Sequence, residues 1–177
     1  MQAVGIFILL VTVAFSSVLP DRAALRQSSP SHSVRVPWEG LAIVVNRSNP
    51  TTDLTMAQLR AMFFGDRKWW SHRRRITLAA MRRSTPEGQT VLRVIYQMDG
   101  HELDRYFLYQ AFKGENSRTP RTLPASADVK KFVVSTPGAV GYLRESEVDD
   151  SVKVVRINGL LPGDDGYPLR LPVRHAK

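Results

Sequence analysis

The chain has 177 residues, with 25 Lys and Arg against 16 Asp and Glu, a net charge of +9, 43% hydrophobic residues and no cysteine. One domain of about 100–150 residues fits this length, while two full lobes scarcely do. The missing cysteine excludes disulfides, a thiolate nucleophile, thiolate metal sites and a lipidated-cysteine anchor, and the hydrophobic share is that of a folded protein.

From Ala3 to Leu19 no side chain is charged, and AVGIFILLVTVAFSSVL reads as the apolar core of an export signal with cleavage near Ser16. A retained N-terminal anchor is the alternative for residues 1–19, and membrane contact is expected only if the segment stays uncleaved. The whole net charge then lies in the remaining chain, which is expected in a bacterial periplasm. Residues 20–37, rich in Ser, Pro and Arg without apolar periodicity, read as a flexible linker. A domain is expected over 38–174, with 175–177 as a tail.

Leu41 to Val45 is a continuous β-branched apolar run closed by Asn46 and Pro50, the pattern of a strand buried on both faces. Thr55 and Gln58 predict a capping box for a helix with Leu59, Met62 and Phe63 on its inner face and Gly65 as its stop. Ile76 to Met81 reads as a second strand, and Thr90 to Met98 as a helix. Asp99 with Glu102 caps another helix, in which Leu103, Tyr106, Phe107 and Phe112 recur at helical spacing before Gly114. Ser126 is the expected N-cap of a helix that buries Val129, Phe132 and Val133. Ala139 to Leu143 and Val152 to Ile157 complete the strands, giving an α/β pattern.

Chemical motifs are few. His32, His72, His101 and His175 lack metal-ligand spacing, so no metal site is expected. Asp99, His101, Glu102 and Asp104 crowd a helix start, where acids serve the helix dipole, and no nucleophile elbow, P-loop or dinucleotide fingerprint occurs. Neither catalysis nor a cofactor is expected. Gly65 to Arg75, GDRKWWSHRRR, interleaves five basic residues with two tryptophans. That pattern can serve nucleic acid, an acidic polymer or anionic headgroups, but it also describes a solvated loop whose tryptophans pack on the domain. Nucleic acid ranks last among these for an exported chain without a recognition motif. Arg82, Arg83, Ser84, Thr85, Gln89 and Thr90 join a predicted strand to a predicted helix. Guanidinium groups, hydroxyls and helix-start amides together compose a candidate site for a tetrahedral oxyanion.

These segments resemble the phosphate-binding proteins of ABC transporters. The resemblance is carried in order by Leu41 to Asn46, LTMAQLRAMFFGDRKWW, the Arg82–Thr90 loop, FVVSTPGAVGYL and VKVVRINGLLPGDDGYPLRLPV, covering most of Leu41 to Val173. It implies the type 2 periplasmic binding protein fold, here as a single lobe with a mixed, mainly parallel β-sheet flanked by helices. It also implies phosphate or another oxyanion as ligand. Phosphate-holding relatives carry Arg followed by Gly-Ser-Gly-Thr at the helix start. With Thr90 at the serine position, Val91 and Leu92 follow; with Gln89 there, Thr90 and Val91 follow, and Arg82 and Arg83 lie upstream in both registers. Two functions are therefore expected to compete. One is an exported lobe that binds an oxyanion weakly, or with a partner or second copy that completes the cleft. The other is an accessory interaction module of an envelope assembly that no longer binds a ligand.

Overall fold

The computed structural model describes residues 37–113 and 119–173. The expected leader, nearly all of the linker and the tail lie outside the described residues.

The middle of the sheet is β1 (Trp38–Asn46), in which Leu41 to Val45 are all fully buried. β1 pairs antiparallel with β5 (Ala139–Arg144) on one edge and β6 (Val152–Ile157) on the other, while β7 (Arg170–Pro172) pairs antiparallel with its first residues. β3 (Thr77–Met81) lies parallel to β5 and to β4 (Arg121–Leu123), and β2 (Asp53–Leu54) lies parallel to β6. The sheet order is β2-β6-β1-β5-β3-β4. This is the mixed α/β sheet that the sequence led us to expect, with the outer pairs parallel and the central strand reversed.

Helices cover both faces because neighbouring strand residues point to opposite sides. On β5, Gly141 faces α4 (Ser126–Ser135), while Tyr142 points the other way, toward Phe63 of α1 (Met56–Phe64), with ring centroids 6.4 Å apart. α1 carries the predicted Thr55–Gln58 capping box and stops at Gly65, whose φ of 84° suits glycine. The α4 carbonyls of Val133 and Val134 accept hydrogen bonds from the buried Asn46 amide at 3.0 and 2.7 Å, fixing the end of β1 to the end of this helix. Trp70 is buried, with its indole N–H donating to the Gly138 carbonyl at 3.0 Å, whereas Trp69 is 56% exposed.

Three local expectations are corrected. The helix expected from Thr90 begins at Pro86: Thr85 is the N-cap, α2 runs over Pro86–Val91, and a π-helical turn, Leu92–Tyr96, continues it to Gln97. Pro86 is the first helical residue and Gly88 a point of close approach. A Cβ on Gly88 would lie 2.3 Å from the Arg82 carbonyl oxygen. In α3 (Gly100–Phe112), capped by Asp99 and Glu102 as expected, Phe112 is 83% exposed instead of packed. Phe107 and Tyr106 do join Phe64 and Tyr96 in edge-to-face contacts. In α4, Ser126 is the first helical residue, Ala125 occupies the cap position and Phe132 is half-buried.

Gly141 is the tightest point of the helix–sheet packing, since an added Cβ would meet Val129 Cγ1 at 2.7 Å and Val133 Cγ2 at 3.1 Å. Gly141→Ala is expected to lower stability by about 1–3 kcal/mol through overpacking. Urea unfolding should show a lower midpoint at an unchanged m-value.

Candidate functional site

The Arg82–Thr90 segment runs from the C-terminal end of β3 into α2, the position where open α/β sheets commonly place ligands. Arg82 to Thr85 form the loop, Gln89 and the buried Thr90 lie in α2, and most of their donors serve the protein itself. Thr85 Oγ1 accepts from Gly88 N–H at 3.0 Å and donates to the Arg82 carbonyl at 2.9 Å. The buried Thr90 hydroxyl donates to the Pro86 carbonyl at 2.9 Å, and the Gln89 amide donates to the Arg83 carbonyl at 2.6 Å. Arg83 turns to α3, pairing with Asp104 at 2.6 Å and donating to the Gly100 carbonyl at 3.1 Å. The Asp104 hydrogen bond raises the Arg83 pKa, and Arg83 in turn holds the Asp104 carboxyl below its usual range. Arg82 and Ser84 remain exposed.

Beneath this loop lies a charged cluster that sequence reasoning missed. Glu87, the second residue of α2, is fully buried, and its carboxylate accepts from Arg144 Nε at 2.5 Å. Arg144, at the end of β5, is 2% exposed and also donates through Nη1 to Glu39 Oε2 and to the Pro172 carbonyl, both at 3.0 Å. Glu39 on β1 completes the cluster by accepting from the Ser146 amide at 2.9 Å and from the Ser146 hydroxyl. Burial opposes ionisation of Glu39. The Ser146 hydroxyl and amide and the Arg144 guanidinium outweigh it, so its carboxyl sits below the usual range. Burial likewise opposes the Arg144 charge, but hydrogen bonds to Glu87 and Glu39 more than offset it and raise its pKa.

These residues stand 57 and 105 positions apart in the pairs Arg144–Glu87 and Arg144–Glu39, so no local spacing could have announced them. Only the oddity of Glu39 and Arg144 at the ends of apolar strands offered a signal. The consequence for an anion is direct. Glu87 places a carboxylate at the positive end of α2, where the helix start would otherwise favour an incoming negative charge. Among the described residues no group of three or more His, Cys, Asp and Glu is placed to hold a metal ion. No helix among them is long and apolar enough to cross a membrane.

A mixed sheet with helices on both faces, and a strand-to-helix loop at the C-terminal end of β3, define an α/β lobe with an open loop where such sheets commonly bind ligands. Comparison with known proteins specifies which kind. The chain is 30% identical over 128 residues to the phosphate-binding protein PstS of Bacillus subtilis (strain 168), a match covering 70% of this chain and 37% of that protein. A phosphate ABC transporter substrate-binding protein from Clostridium perfringens, solved with bound phosphate, superposes with a TM-score of 0.64 at 19% identity, over 77% of this chain and 54% of that one. An ABC-type phosphate transport receptor from Vibrio cholerae gives 0.57 at 24% identity, over 77% and 55%. No protein-family model matches. The chain is thus phosphate ABC transporter substrate-binding protein-like, and it spans little more than a third of the curated relative and about half of these solved structures. None of these relatives is named as an enzyme.

Arg144→Leu would leave buried Glu87 and half-buried Glu39 without their guanidinium, and a loss of about 3–5 kcal/mol is expected in urea unfolding. Acid provides a second check. The folded-state pKa of Glu39 is lowered from 4.5. Its contribution is therefore complete above the unfolded value and lost as pH falls through the folded one. Stability measured from pH 7 to pH 3 should fall below about pH 4.5 in the natural protein. Glu39→Gln should be less stable at pH 7 and show a shallower acid limb.

Proposed function

We propose that the chain is an extracytoplasmic, phosphate-binding-protein-like lobe that meets phosphate or a related oxyanion only weakly by itself, at the Arg82–Thr90 loop. The observation that carries this reading is the distribution of donors. Thr85, Gln89, Thr90 and Arg83 are engaged within the protein, while the Arg82 guanidinium and the Ser84 hydroxyl face solvent. In this role Arg82 supplies charge and Ser84 a hydrogen bond, with no chemistry on the ligand. Hydrogen bonds to charged groups contribute about 1.5–3 kcal/mol each, so two of them reach about the 4 kcal/mol of a millimolar complex. The Glu87 carboxylate at the start of α2 works against anything tighter.

The second reading is an accessory module of an envelope assembly that binds no solute. The buried Glu39–Arg144–Glu87 cluster favours it, because an internal carboxylate already occupies the helix start. Isothermal calorimetry with inorganic phosphate and sulfate separates the two. The first reading expects a saturable dissociation constant of about 1 mM or weaker that Arg82→Ala abolishes. Absence of any heat up to about 20 mM would leave the accessory reading, and a micromolar constant would overturn both.

A further inference from the structure

The basic, tryptophan-containing loop plays no part in the oxyanion reading, and it lies at the other end of β3. A groove of about 230 Å³ opens there between the end of α1, the Gly65–Arg75 loop and the starts of β3 and β4. Arg67, Lys68, Arg75 and Arg121 line it over an apolar floor that includes Met62 and Ile76. Among the described residues no carboxylate lines the groove and none of the four cations has an ion-pair partner. What contacts they make are to neutral groups: Arg67 Nε donates to the Trp69 carbonyl at 3.4 Å, and Arg121 stacks 5.1 Å above the Phe132 ring. Four like charges held around one depression repel one another, and that repulsion is relieved when an anion enters. The volume and the apolar floor suit an anion attached to an organic body better than a bare oxyanion.

We infer that this groove is a binding site for phosphate groups carried on an organic body, with Arg67, Lys68, Arg75 and Arg121 neutralising the phosphate and the Met62–Ile76 floor packing on the carrier. The groove and the Arg82–Thr90 loop lie off opposite ends of β3, which spans about 13 Å at about 3.3 Å per step, with Arg121 alongside its middle residue, Ala79. The same phosphate ester can reach the groove as a soluble metabolite or as a lipid headgroup, and the exposed Trp69 beside it suits a membrane interface as well as a free ligand.

The test titrates the full chain with sn-glycerol 3-phosphate by calorimetry. In parallel it co-sediments the chain with vesicles of phosphatidylglycerol and phosphatidylcholine, with pure phosphatidylcholine vesicles as control. Binding to either phosphate ester supports the site, and the arm that responds identifies the source. Lys68→Glu and Arg121→Glu should each weaken that binding about tenfold or more, and raising salt from about 0.05 to 0.5 M should weaken it too. Arg156→Glu, the same charge change on the exposed face of β6, three strands from β3 in the sheet, should alter it less than twofold. Thermal unfolding verifies that each variant is folded, and the exposed Lys68→Glu serves alone should Arg121→Glu not fold. The inference is overturned if neither probe binds, if phosphatidylcholine vesicles bind equally, or if Arg156→Glu weakens binding as much as Arg121→Glu. Inorganic phosphate bound through Arg82 and insensitive to Arg121→Glu bears on the proposed function alone, so the two readings fail separately.

Discussion

Arg144 is the residue on which the geometry of the candidate site depends. Its guanidinium takes hydrogen bonds out of β5 to Glu87 on α2, to Glu39 on β1 and to the Pro172 carbonyl of β7. A buried guanidinium is tolerable only with such partners, and each partner belongs to a different segment. Four elements are thereby held at one point. Moving Glu87 away from Arg144 would break a buried ion pair, so the first turn of α2 is pinned. With that turn pinned, Gly88 lies against the Arg82 carbonyl at a separation no other residue allows. The loop above inherits its shape from the ion pair below, and its hydroxyls and amide close onto its own carbonyls.

The same arrangement divides the charge of the molecule. At the C-terminal end of β3, cations meet carboxylates: Arg83 with Asp104, and Arg144 with Glu87 and Glu39. At the N-terminal end, Arg67, Lys68, Arg75 and Arg121 gather without any ion pair among the described residues. A net charge of +9 is thus not spread evenly over the surface. The end at which the fold usually presents ligands is close to neutral, and the opposite end carries unneutralised positive charge. Long-range attraction of an anion therefore favours the basic groove, where field lines from four cations add, over the loop, where each cation but Arg82 has a local counter-charge.

The elements that were legible in the sequence are those whose signals are local. Leu41 to Val45 could only be a strand buried on both faces, and Thr55–Gln58 and Asp99–Glu102 are reciprocal caps in the structure as they are in the text. Apolar periodicity carries no strand direction, so the reversal of β1 against β5 and β6 was not readable from residues alone. Short strands such as β2 and β4 escaped because two or three residues show no period. The start of α2 was missed because the apolar run that marked the helix begins only at Val91, and the approach of the Arg82 carbonyl, not the sequence, explains Gly88. Arg82, Arg83, Ser84 and Thr85 lie in the loop and Gln89 and Thr90 in α2, but what decides their availability was not visible. The competitors for their donors are the loop's own carbonyls and an aspartate from the next helix, and the carboxylate at the helix start is anchored by an arginine 57 residues away.

The likeness to phosphate-binding proteins and the few outward-facing donors of the Arg82–Thr90 loop therefore fit together. The sheet, the helix faces and the Gly141 contact depend on apolar packing that many sequences can satisfy, which is why the fold survives at 19–24% identity to the solved relatives. A ligand site depends instead on a few donors aimed outward and left free. One substitution class reverses such a site without disturbing the fold: a carboxylate placed at the helix start, with a buried cation to hold it. Glu87 and Arg144 form that pair, and the helix dipole they occupy can serve only one negative charge well. Similarity of fold carries the architecture to this chain, whereas the affinity of the loop must follow from the groups that Glu87 and Arg144 leave exposed.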